Sequence, residues 1–113
     1  GYLMSDWSLG LVAAMHQQDV PIGAGTDTPI AQAIPGYSLH TELERLVDAG
    51  LTTQQALFAA TIRPAEFFKL NGSMGQISPG MEADLVLLRN NPLVDIRHSR
   101  SIEAVISNGI RVR

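Results

Sequence analysis

The sequence contains no cysteine, so disulfide bonds and thiolate metal sites are excluded. No stretch approaches the ~20 consecutive apolar residues that a membrane-spanning helix requires, and we expect no membrane partner. Charged residues make up 17% of the chain with a net charge of −3, which disfavours nucleic acid as a partner. No basic stretch followed by an apolar one opens the sequence, so we expect a cytoplasmic location.

The residues that are present suit one folded unit. Hydrophobic residues occupy 45% of the 113 positions, which excludes a disordered tail. The length fits at most one domain, with a core of modest size.

Helical signals dominate the first 72 residues. Apolar spacing, capping residues and helix breakers predict four helices: residues 5–18, a helix from Leu39 that Gly50 closes, residues 53–62, and residues 64–70. Thr52 and Gln55 have the spacing of a capping box at the start of the third.

A short apolar segment lies between the first two helices. Residues 22–26 are small and uncharged, which predicts a strand buried on both faces. The helical half offers this strand no partner, and unpaired backbone groups cost roughly 1–3 kcal/mol each when buried. The chain is therefore either a piece of something larger or a protein that associates to supply the missing neighbours.

The last third changes character to antiparallel strands. We predict short strands at residues 76–77 and 84–88 around a type II turn at Pro79–Gly80. Residues 103–107 and 110–113, joined by Asn108–Gly109, predict a β-hairpin.

Two side chains are candidates for chemistry. Asp27 directly follows the predicted strand, where barrel enzymes keep catalytic groups, although such a residue also caps loops. His40 enters a helix, where it either serves function or is a solvated or capping residue. The sequence has no H-x-H, H-E-x-x-H, nucleophile elbow or phosphate-binding loop.

Several motifs in order resemble the metal-dependent amidohydrolase superfamily. They are V-P-I-G-A-G-T-D at 20–27, H-T-E-L at 40–43, D-A-G-L-T at 48–52, A-D-L-V-L at 83–87 and N-P-L-V-D-I at 91–96. Within that superfamily the chain looks most like the imidazolonepropionase-related branch, which includes prolidase-like dipeptidases.

The resemblance implies an α/β fold that is the C-terminal portion of a (β/α)₈ TIM barrel plus part of a small β-sandwich. Residues 1–72 would supply the last barrel strand and helices, and residues 73–113 the C-terminal strands of the sandwich. It implies that Asp27 is the catalytic carboxylate and a ligand of a divalent metal, zinc being expected. His40 would contact a small-molecule amide substrate.

The sequence lacks counterparts of the family's first-strand H-x-H, its bridging lysine and its fifth- and sixth-strand histidines. A catalytic zinc usually has three protein ligands, so we expect this chain alone to bind no metal and to be inactive.

Three hypotheses remain open at this point. The chain is part of a metal-dependent hydrolase, which acts either on C–N bonds other than ordinary peptide bonds, in cyclic amides or N-acyl compounds, or on dipeptides as a prolidase-like enzyme. Alternatively, it is a non-catalytic module that self-associates, or a subunit that lends Asp27 to a partner chain. We expect a homo-oligomer or association with the missing barrel portion.

Overall fold

The computed structural model describes residues 2–26 and 36–113. Within those residues the elements run in the order α1 Tyr2–Gln17, α2 Ser38–Asp48, α3 Thr53–Ala60, α4 Ile62–Phe67, β1 Leu85–Leu88, a 3₁₀-helix at Ile96–Arg100, β2 Ile102–Ser107 and β3 Ile110–Arg111. In this part of the chain, no helix combines the length and apolar character needed to cross a bilayer.

Helices α2 and α3 hold the core. The buried apolar side chains that contact one another come from these helices, from the turn between them and from the 3₁₀-helix: Leu43, Leu46, Leu51, Ala56, Ala59 and Ile96. The predicted capping box is confirmed, since the Thr52 hydroxyl accepts from the Gln55 amide and the Gln55 side chain accepts from the Thr52 amide. The close of α2 at Gly50 is also as predicted, with φ +114°.

Several helix boundaries differ from those predicted, most of them by one to three residues. Helix α1 begins at Tyr2 rather than residue 5, and α3 ends at Ala60 rather than Ile62. Helix α4 starts at Ile62, two residues before Pro64. Proline fits there because amides of the first helical turn have no partner within the helix.

The three strands form one antiparallel sheet in the order β1-β2-β3. Leu85 lies opposite Ile106 and Leu87 opposite Ala104, and the register shifts between Leu87 and Leu88. The predicted hairpin is confirmed, with Asn108 and Gly109 both at positive φ, as a two-residue turn of this kind requires.

The strand predicted at Gln76–Ile77 is wrong. These residues pair with no strand in the described part of the chain, and Ile77 is 88% exposed. The turn beside them does form, because Gly80 has φ +89° and the Met81 amide donates to the Ser78 carbonyl.

The strand predicted over residues 22–26 is also not formed in this structure. These residues lie in neither a helix nor a strand. A strand is defined by ladder hydrogen bonds, and no described strand lies beside this segment to provide them. Instead, Ile22 and Ala24 pack against the helical core.

The 3₁₀-helix, which was not predicted, joins the sheet to the helices. Its Asp95 cap accepts from the Arg97 amide at 2.9 Å, and the hydrogen-bonded Arg97 side chain lowers the pKa of the Asp95 carboxyl to about 2. Ile96 then enters the core, and the Thr53 hydroxyl donates to the Leu93 carbonyl at 2.7 Å.

Candidate functional site

Of the two predicted site residues, the structure describes His40 but not Asp27. Asp27 lies outside the described residues, so its role stays a prediction. His40 lies in the first turn of α2, where its side chain is partly buried. Its predicted contact with substrate is likewise untested.

The His40 ring contacts the 3₁₀-helix. Its Nδ1 shares a hydrogen bond of 2.9 Å with the hydroxyl of Ser99, a buried residue 59 positions further along the chain. Burial lowers the pKa of the His40 imidazole, the Arg100 charge lowers it further, and the Glu44 charge opposes both. The neutral ring is thus favoured, and Nε2 remains for any contact with substrate.

Arg100 adds further contacts between the 3₁₀-helix and α2. Its Nε donates to a Glu44 carboxylate oxygen at 3.0 Å, and its terminal nitrogen donates to the Thr41 hydroxyl at 3.3 Å. The guanidinium also lies 4.6 Å from the centre of the Tyr37 ring, a cation–π geometry. Four side chains in or just before α2 therefore contact the 3₁₀-helix: Tyr37, His40, Thr41 and Glu44.

Glu42, also on α2, faces the segment of residues 20–26, which precedes Asp27 in the sequence. Its side chain is partly buried and lies near the backbone amide of Gly25. Burial raises the pKa of the Glu42 carboxyl, and the nearby Gly25 amide counteracts part of that rise. A carboxylate of α2 thus lies against the end of the 20–26 segment.

A second backbone contact holds this segment to α3. The Ala24 amide donates to the Ala59 carbonyl at 2.7 Å. At the other end, Asp19 has φ +59° and the Val20 amide donates to the Met15 carbonyl, which turns the chain out of α1. The segment is therefore anchored by hydrogen bonds to α1 at its start and to α3 near its end.

The described residues do not provide a metal site on their own. Across residues 2–26 and 36–113, no three His, Asp or Glu side chains come together as potential metal ligands. The divalent metal that the family resemblance implies is therefore not accounted for by this part of the chain.

Sequence reasoning missed Glu42 and Ser99. Glu42 lies three residues after Leu39 and four before Leu46, which is the spacing of the apolar face of α2. That spacing could have revealed its partial burial. Nothing local in the sequence marks Ser99, because its partner His40 is distant in the chain.

Comparison with known proteins decides the family. Residues 9–112 match the amidohydrolase family. This chain belongs to the amidohydrolase family. The superfamily resemblance seen in the sequence is thereby confirmed.

Individual relatives of this amidohydrolase chain are much longer. An adenine deaminase from Rhizobium meliloti is 35% identical over 85 residues, which is 74% of this chain and 13% of the deaminase. An ochratoxinase from Aspergillus niger is 36% identical over 88 residues, which is 76% of this chain and 17% of that protein. The chain thus spans less than a fifth of these curated relatives.

A solved structure extends the similarity to three dimensions. The crystal structure of an Xaa-Pro dipeptidase with bound methionine superposes on 93% of this chain with a TM-score of 0.83 and 25% identity. The match covers 25% of the dipeptidase chain. The structural relatives of this amidohydrolase chain are TIM-barrel proteins.

Proposed function

We propose that this chain supplies the C-terminal part of a hydrolase that acts on C–N bonds other than ordinary peptide bonds. The family match over residues 9–112 carries this proposal. Substrates of this class are small cyclic amides or N-acyl compounds, as in the imidazolonepropionase-like branch. Because the chain spans only a fraction of its relatives, the reaction belongs to the longer protein.

Each part of the chain has a place in that longer protein. Residues 22–26 would be the last strand of the barrel, flanked by strands from outside this chain. Two observations support this assignment. Ile22 and Ala24 pack on the helical core, and no strand lies beside them among the described residues. Residues 73–113 would contribute the three-stranded sheet to a β-sandwich.

Asp27 would be the acid–base residue. A carboxylate there can take a proton from the attacking water and return it to the departing amine. It would also provide one ligand to the divalent metal, zinc by family resemblance. His40 would contact the substrate through Nε2, since Nδ1 is engaged by Ser99.

The decisive experiment compares two aspartates that flank the same segment, in the longer protein. We expect Asp27→Asn to lower kcat on the order of 10²–10⁴-fold, the usual contribution of acid–base catalysis. Asp19→Asn is the matched control, because Asp19 lies at the other end of the segment and asparagine tolerates its positive φ. An Asp27→Asn variant as active as Asp19→Asn would refute the assignment.

A prolidase-like dipeptidase is the second candidate, favoured by the superposition on an Xaa-Pro dipeptidase. Rates with a cyclic amide, an N-acyl amino acid and an Xaa-Pro dipeptide separate the two. We expect the first two substrates to be preferred. A preference for the dipeptide would establish the second candidate instead.

We further propose that the 113-residue chain alone is inactive and associates, either with itself or with the missing barrel portion. Large apolar side chains support association, because Phe67 is 80% exposed and Ile77 88%. Sedimentation equilibrium should show a dimer or larger species. A clean monomer, or stoichiometric zinc with amide hydrolysis by this chain alone, would contradict the proposal.

A further inference from the structure

We propose that the buried Ser99 hydroxyl donates to Nδ1 of His40 and thereby holds the neutral imidazole as the tautomer with its proton on Nε2. Ser99 is then a positioning residue, and His40 offers a hydrogen-bond donor to a substrate oxygen. The second statement rests on the proposed function, because it requires that His40 contacts the substrate. The tautomer is a property of the described residues and is tested separately from activity.

Ser99 faces α2 because of the geometry of the 3₁₀-helix. Residues three apart in such a helix lie on the same face, since it has three residues per turn. Ile96 belongs to the same core cluster as Leu43 and Leu46 of α2, and Ser99 follows Ile96 by three residues and is 6% exposed. The burial of Ile96 therefore places the Ser99 hydroxyl against α2, where it lies 2.9 Å from His40 Nδ1.

The hydrogen-bonding capacity of the two groups determines which of them donates. A serine hydroxyl carries one proton, and His40 Nδ1 is the hydrogen-bond partner of the Ser99 hydroxyl in the described part of the chain. If Nδ1 carried a proton and donated it, the hydroxyl proton would be buried with no acceptor among the described residues. An unpaired buried donor costs the desolvation of that group, so the arrangement in which the hydroxyl donates is favoured.

The surroundings of the His40 ring favour its neutral form, in which one nitrogen accepts. Burial and the Arg100 charge lower the pKa of His40, and the Glu44 charge opposes them. Arg100 is held near the ring by its hydrogen bonds to Glu44 and Thr41. A second proton on the ring would be repelled by this guanidinium and would also displace the hydroxyl proton from Nδ1.

Nitrogen NMR of the His40 ring in the 113-residue chain identifies the tautomer directly. At a pH well above 6.5, where the ring is neutral, we expect the chemical shift of an unprotonated nitrogen at Nδ1 and of a protonated nitrogen at Nε2. This measurement needs no substitution, so it does not depend on whether a variant folds. The reverse assignment, with the proton on Nδ1, would overturn the proposal.

Ser99→Ala removes the hydroxyl, and Ser101→Ala is its matched control. The Ser101 hydroxyl lies two residues further along the chain and donates to the His98 carbonyl. In Ser99→Ala the ratio of the Nε2–H tautomer to the Nδ1–H tautomer should fall about two- to tenfold, as loss of one neutral hydrogen bond implies. Ser101→Ala should leave the ratio unchanged. An unchanged ratio in Ser99→Ala, or an equal fall in Ser101→Ala, would overturn the positioning role.

Kinetics in the longer protein test the link to substrate. Ser99→Ala should raise KM about two- to tenfold with little change in kcat, because it weakens a contact to the bound substrate. It should have no further effect when His40→Ala is already present. Equal rises in KM with and without His40→Ala would overturn the link. If His40→Ala alone leaves KM and kcat unchanged, the substrate contact in the proposed function fails, while the tautomer is still measured by NMR.

Discussion

Residues 38–60 and residues 20–26 lie against each other but are stabilised in different ways. The first region has two helices, a complete capping box and six of the nine buried core side chains in the described residues. The second has no strand partner there and is held by backbone hydrogen bonds to the Met15 and Ala59 carbonyls. A segment can thus carry a clear strand signal without pairing with any strand in the described part of its chain.

The largest expected difference between the regions concerns buried side chains. Leu46→Ala should lower the free energy of unfolding by about 2–5 kcal/mol, because it leaves a cavity in the core. Ile22→Ala should cost only about 1 kcal/mol, since Ile22 is partly exposed. Urea denaturation measures both. Equal losses would mean that the 20–26 segment is as well packed as the helices.

Gly75 tests whether a segment without regular secondary structure can still be tightly packed against its neighbours. Gly75 has φ +102°, and an added Cβ would lie 2.7 Å from the Ala65 Cβ and 3.1 Å from the Thr61 carbonyl. We expect Gly75→Ala to cost about 1–3 kcal/mol through backbone strain and this overlap.

Gly72→Ala is the control for Gly75, because a Cβ there meets open space. Its effect should stay within about 0.5 kcal/mol in the same urea experiment. A harmless Gly75→Ala would show that the segment after α4 moves away from that helix, and that irregular segments in general are loosely held here.

The smallest expected effect is a pH dependence at the junction of α2 and the 3₁₀-helix. Because the pKa of His40 is lowered in the folded chain, the unfolded chain binds its proton more readily. The corresponding stability is present above pH 6.5 and is lost as the pH falls from there toward the folded pKa. His40→Gln should remove this loss in urea denaturation at pH 7.5 and 5.5.

An NMR titration of the His40 ring checks the same prediction without a substitution. The midpoint should lie below 6.5, with burial and the Arg100 charge lowering it and Glu44 opposing them. A midpoint at or above 6.5 would show that the ring is more solvated than its contact with Ser99 implies.

The sequence predicted the features that depend on interactions between residues close together in the chain. The Thr52 capping box and the Asn108–Gly109 turn depend on residues within a few positions, and both are confirmed. The His40–Ser99 contact spans 59 positions and has no local signature. The Asp27 assignment depends on family resemblance, because a carboxylate after an apolar segment is equally typical of a loop cap.

The proposed place of the 20–26 segment in a barrel requires strand partners from outside this chain. Amide hydrogen exchange on the monomeric fraction compares this segment with α3 directly. We expect the amides of residues 20–26 to exchange much faster than those of Ala56 and Ala59, with Val20 and Ala24 the slowest of the segment because their amides are hydrogen-bonded. Protection of the whole segment equal to that of α3 would show that the segment needs no strand partners from outside this chain.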